Sequence, residues 1–157
     1  MSKKRTGNIM QCILSAQQFI EVAERLISDN CEIYYIRPFF VNAGLACELF
    51  LKSIKMYESG DGSFLEGHNL YKLFEVISDD AKQAIRENYD LIYADRPHKV
   101  AFDDFLSRYS KPFLDFRYTF ETPAEGNAVA LLFFAWSLKQ YVRKLQVQVG
   151  HLHGRTK

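Results

Sequence analysis

From Asn8 to Ser28 apolar residues return every three or four positions: Ile9, Ile13, Ala16, Ile20, Ala23 and Ile27, with Gln, Glu and Arg between them. That spacing gathers them on one face of a helix, which Asp29-Asn30 then breaks. A second helical pattern runs from Tyr34 to Met56 and is longer and more apolar. Pro38 falls in its first turn, where a missing N–H is harmless. Val41, Leu45, Glu48 and Lys52 lie along one line of this helix, and Ser59-Gly60-Asp61-Gly62-Ser63 ends it. Asn69 suits the N-cap of a short helix, LYKLFEVI. Ser78-Asp79-Asp80 caps the next, AKQAIRENYDLIY, although Ala81 three residues after Ser78 leaves the capping box incomplete. Asp95-Arg96-Pro97-His98 is a turn. Val100 to Tyr109 is ambiguous, and FLDFRYTFETP after Lys111-Pro112 fits both the helical and the extended period. The last long helix, Glu125 to Val147, has an almost continuously apolar middle (AVALLFFAWSL), the pattern of a helix buried against several neighbours.

No β-hairpin signal, internal repeat or low-complexity stretch interrupts these patterns. Short connections between helices predict an all-α fold, an antiparallel up-and-down bundle of four to five helices framed by the first, second and last. At 157 residues the chain is one domain, 1–157, with length for one real core. Apolar residues make up 48% and aromatic residues 15%, which excludes a disordered tail.

The net charge of +1 sets up no global field toward nucleic acid or anionic membrane, so any nucleic-acid contact has to come from a local patch. The basic residues at the two ends (Lys3, Lys4, Arg5; Arg143, Lys144, Arg155, Lys157) read as solvated termini. Cys12, Cys31 and Cys47 are odd in number and form no CxxC, the usage of reduced, mostly buried thiols in a cytoplasmic protein. Gln11, Gln17 and Gln18 interrupt the first apolar segment, so it does not read as a signal peptide. The longest apolar run, Ala128–Trp136, is half of the roughly 18 residues that a membrane span needs. No membrane association is expected.

Glu48 and Lys52 are one helical turn apart, in register with the apolar face, where charges are normally avoided. An exposed pair of this kind is worth a few tenths of a kcal/mol. A buried one needs a third or fourth polar group to satisfy it. His68 closes the Gly-rich loop just before a helix start and, as a lone histidine, suits a hydrogen bond to a helix end or carbonyl. Arg117 is framed by Phe113, Phe116, Tyr118 and Phe120, and a charge in such surroundings calls for a carboxylate from Glu48, Asp115 or Glu121. His151 and His153 form a weak metal signal, since no Cys or carboxylate partner stands near them. No phosphate loop, nucleophile elbow, zinc-ribbon spacing or HExxH is present. No metal and no cofactor is therefore expected. Trp136 reads as core.

The run Ala43-Gly-Leu-Ala-Cys-Glu48-Leu-Phe-Leu-Lys52-Ser-Ile, a loop, and then Gly67-His68-Asn-Leu70-Tyr-Lys-Leu73-Phe resembles the HEPN superfamily of small helical domains. Many members carry A-x-E-L-x-L-K-A-L followed by G-H-x-L-x-x-L. The segment Phe113-Leu-Asp-Phe-Arg117-Tyr-Thr-Phe-Glu121 is similar to an F-x-x-W-R-Y-x-Y-E segment of one branch, with Phe116 where Trp is common. The resemblance covers most of the chain. It implies a helical bundle, often a homodimer, in a family rich in metal-independent endoribonucleases of toxin–antitoxin and antiviral systems. Their usual motif, Arg followed after four to six residues by His, is absent here. Arg143 and His151 are one residue too far apart.

Three readings follow. The chain is a non-catalytic dimeric HEPN-like binding or regulatory module linked to RNA metabolism or defence, with Glu48, Lys52 and Glu121 in a polar cluster. Alternatively it is an endoribonuclease with a composite catalytic site, His68 as general acid/base and Arg117 stabilising the phosphorane. Or it is an antitoxin-like subunit that docks a partner protein through exposed aromatic residues of Phe113–Phe120. The partners implied are a second copy, RNA or a nucleotide, and a partner protein.

Overall fold

The structure is a computed structural model that describes residues 4–28, 35–117 and 126–153. Along them run β1 (Lys4–Thr6), α1 (Ile9–Ser28), α2 (Ile36–Ser59), β2 (Ser63–Leu65), α3 (Leu70–Glu75), α4 (Asp79–Tyr93), α5 (Phe102–Arg108), α6 (Pro112–Arg117) and α7 (Ala128–His153). The fold is all-α. Four long helices make the bundle, and three short ones close it. No helix among the described residues is long and apolar enough to cross a membrane.

Helix α2 is the axis, packing against α1, α6, α7 and α3. It runs antiparallel to α1: Cys12 lies against Leu49, and Gly7, just before α1, lies against Met56 near the end of α2. Helix α4 runs antiparallel to α7 in the same way, with Asn88 bonded to the Ser137 carbonyl and the Tyr93 ring against Phe133. The frame thus includes α4 as a fourth long member beside the three read from sequence. Its core is aromatic. Phe74, Tyr89, Phe102, Phe105 and Phe134 meet in tilted and edge-on pairs, with Tyr89 and Phe105 stacked, at centroid distances of 5.1–6.4 Å, geometries that ring quadrupoles favour.

Helix ends follow local chemistry. The side-chain oxygens of Asn8, Asn69 and Ser78 accept from the amides of Gln11, Lys72 and Ala81, each satisfying an orphan N–H of a first turn. The box left incomplete at Ser78 is closed from elsewhere. The Glu58 carboxylate, at the end of α2, accepts the Ser78 N–H at 3.0 and 3.1 Å. Gly60, at φ 70°, ends α2 in the left-handed conformation that favours glycine.

Several boundaries differ from the sequence patterns. Of the ambiguous segments, Val100–Tyr109 carries α5, and the described part of FLDFRYTFETP lies in the short α6, while residues 118–123 lie outside the described residues. Helix α7 begins at Ala128, because the Asn127 side chain accepts the Ala130 N–H at 2.9 Å and caps it there. It continues to His153, so positions 151 and 153 belong to a helix and not to a tail. A feature without sequence signal is the antiparallel pairing of β1 with β2, in which Lys4, Arg5 and Thr6 face Leu65, Phe64 and Ser63. An ion pair between Arg5 and Glu66 extends it. This clip ties the start of the chain to the loop that carries His68.

Candidate functional site

Glu48 lies in the middle of α2 on the buried side, with 5% of its side chain exposed. Both carboxylate oxygens are engaged. Oε1 accepts from Lys52 Nζ at 2.6 Å and Oε2 from His68 Nδ1 at 2.8 Å. Lys52 is also sealed in, its side chain 11% exposed, with the ammonium 5.5 Å from the centroid of the Phe64 ring in β2. The third polar group that a buried pair demands is thus His68. An ionised carboxylate only accepts, so His68 Nδ1 carries the hydrogen. That leaves Nε2 as the ring's other nitrogen, on a side chain that is 44% exposed.

Helix α6 completes the face. The Phe113 ring lies 5.1 Å from the His68 ring, and the Arg117 guanidinium, one turn further on, lies 5.4 Å from the same Phe113 ring. His68 and Arg117 are therefore brought together through Phe113, a link that the sequence did not show. Two details of backbone packing set this geometry. At Gly44 an added Cβ would sit 2.9 Å from both the Phe113 amide nitrogen and Pro112 Cγ, so α6 crosses α2 where α2 has no side chain. The Leu70 N–H donates to the Ser110 carbonyl at 2.7 Å, fastening the segment after His68 to the residue that leads into α6.

Cys12 borders the cluster from α1. Its thiol donates to the Leu49 carbonyl at 3.2 Å. Burial pushes its pKa from 9.0 up to about 11; the Lys52 charge pulls it down and the Glu48 charge pushes it up. Cys47 is buried and likewise raised by desolvation. Both thiols are free, and burial disfavours the thiolate form that acts as a nucleophile. On α6, burial raises the Asp115 carboxyl above its ordinary value, while Lys111 opposes the shift.

Other candidates fall differently. Glu121 and Cys31 lie outside the described residues. Of the aromatic patch expected of Phe113–Phe120, Phe116 is buried and stacked on Phe40, centroids 3.9 Å apart, and Tyr118 and Phe120 lie outside the described residues. Trp136 is only partly buried, and its indole N–H donates to Glu24 on α1 at 2.7 Å. Among the described residues, no group of three or more His, Cys, Asp and Glu is placed to hold a metal. No protein family, curated protein or solved structure matches the chain.

The arrangement has two chemical capacities. Glu48 with Lys52 is a buried, neutral pair that fixes a histidine. His68 Nε2, an acceptor, and the Arg117 guanidinium, a donor, both lie near an aromatic ring at the surface, a combination suited to a hydroxyl, a phosphate and an unsaturated base.

Proposed function

We propose that this chain is a HEPN-like helical module that binds RNA without cleaving it, and acts as a dimeric binding or regulatory unit in RNA metabolism or defence. The observation that carries the reading is the saturation of Glu48. Its two oxygens are bonded to Lys52 and His68, so the charged residues of α2 serve to hold the histidine in place. His68, Phe113 and Arg117 then form the face offered to ligand. Arginine contacts phosphate, the aromatic ring contacts a base, and His68 Nε2 accepts from a ribose hydroxyl. The dimer is supported by the outer side of α1, where Met10, Leu14 and Val22 are exposed at intervals of one and two helical turns.

The test is equilibrium binding of fluorescent single-stranded RNA by anisotropy at two salt concentrations. Wild type should bind, with affinity falling as salt rises. A folded His68→Ala/Arg117→Ala double variant should lose at least about tenfold, roughly 1.4 kcal/mol. Equal binding by wild type and variant would refute this face.

A second reading, the composite endoribonuclease, is favoured by one observation. A histidine oriented through Nδ1 by a buried carboxylate, with Nε2 directed away from that carboxylate, is the arrangement of a general base. It predicts metal-independent cleavage that is lost on His68→Ala.

A further inference from the structure

An open cavity of about 370 Å³ lies between the turn that follows α4 and the outer side of α5, lined by Lys99, Val100, Ala101, Asp104, Arg108 and Tyr109. Its volume is within the roughly 300–1,000 Å³ typical of small-ligand sites. We propose that it is a second binding site, for a ribonucleoside monophosphate unit.

The lining divides by chemistry. Lys99 and Arg108 supply positive charge from two different segments, as a phosphate requires. Lys99 is held in place by Asp90, with Nζ 2.7 Å from the carboxylate. Asp104 supplies a carboxylate, which repels a bare anion but accepts hydrogen bonds from ribose hydroxyls. Tyr109 supplies a ring to contact a base. It is backed by Phe105 at 6.0 Å between centroids, and its amide is bonded to the Phe105 carbonyl at the end of α5. Val100 and Ala101 form the apolar wall. That wall is anchored, since the Tyr89 hydroxyl donates to the Val100 carbonyl at 3.0 Å. Inorganic phosphate leaves Asp104 and Tyr109 unused, and a nucleoside leaves the two cations unused. A nucleotide uses all four.

The site is tested by calorimetric titration of the full chain with AMP, adenosine, 2′-deoxy-AMP and inorganic phosphate. AMP should bind at least about tenfold more tightly than phosphate or adenosine. Arg108→Ala should weaken AMP by a similar factor and Asp104→Asn should erode the preference over 2′-deoxy-AMP, both read in a folded His68→Ala/Arg117→Ala background that removes the RNA-binding face. Competition by a short oligoadenylate would place the unit within an RNA chain, and its absence would make the ligand a free nucleotide. AMP binding no tighter than phosphate, or unaffected by Arg108→Ala, would overturn the proposal. Because that background lacks the RNA-binding face, failure here is separable from failure of that face.

Discussion

Replacing Glu48 with glutamine keeps the size of the side chain and removes its charge. The amide still offers one oxygen to Lys52 or to His68, but it carries no charge to balance that of Lys52. The Lys52 ammonium, on a side chain 11% exposed, is then left in apolar surroundings with the Phe64 ring as its remaining attraction. Breaking a buried pair by removing one partner costs about 3–5 kcal/mol. The flexible lysine stem can carry its charge part-way to water, so the lower end, about 3 kcal/mol, is expected. For a chain of this length that corresponds to about 6–12 °C in Tm. Urea unfolding followed by circular dichroism measures the loss directly. The double variant Glu48→Gln/Lys52→Met removes both charges and should recover most of it, because no uncompensated buried charge remains and the amide oxygen still accepts from His68. A loss below about 0.5 kcal/mol for the single variant would mean that the pair behaves as a surface pair. A double variant no more stable than the single would also refute the reasoning.

Gly44→Ala should destabilise by about 1–2 kcal/mol despite the better helix propensity of alanine, since the new methyl meets the Phe113 amide and Pro112 at 2.9 Å. Thermal unfolding checks the sign, and RNA binding should weaken as α6 is displaced. Cys12, with its pKa raised from 9.0 to about 11, should react with iodoacetamide at pH 8 about 100-fold more slowly than a free thiol, through the lower thiolate fraction alone. A rate near that of free cysteine would contradict its burial. The same shift has a linkage consequence. The folded pKa lies above the unfolded one, so Cys12 affects stability little below pH 9 and costs stability as pH rises from 9 toward 11. The alkaline limb of a stability–pH curve should be shallower in Cys12→Ala. Ala94, at φ 26°, ends α4 in a conformation that L side chains rarely adopt, and Ala94→Gly should raise stability by up to about 1 kcal/mol in urea unfolding.

The long helices were legible because their signals are local. The three-and-four spacing of Ile9 to Ile27, the caps at Asn69 and Ser78 and the glycines after Ser59 each act within a few residues. What was illegible is non-local. The pairing of β1 with β2 joins residues nearly sixty positions apart through strands of three residues, too short for alternation to register. The partner completing the Ser78 cap is Glu58, twenty residues upstream. At the site, the register of Glu48 and Lys52 with the apolar face placed a charged pair where burial would demand a further polar group, and left open whether the pair is buried. It did not show which group. His68 was one of several candidates until the loop and the β clip placed it, and Phe113, the link between His68 and Arg117, looked like one more aromatic in an aromatic segment.

The most direct test of a face that binds RNA without cutting it is incubation of purified protein with defined single-stranded RNAs in chelator, with the products resolved by length. The account predicts that RNA retained by the wild-type protein is recovered at full length, and that His68→Ala lowers retention and leaves the length distribution unchanged. Fragments generated by wild type and absent with His68→Ala would contradict it and establish His68 as a catalytic base.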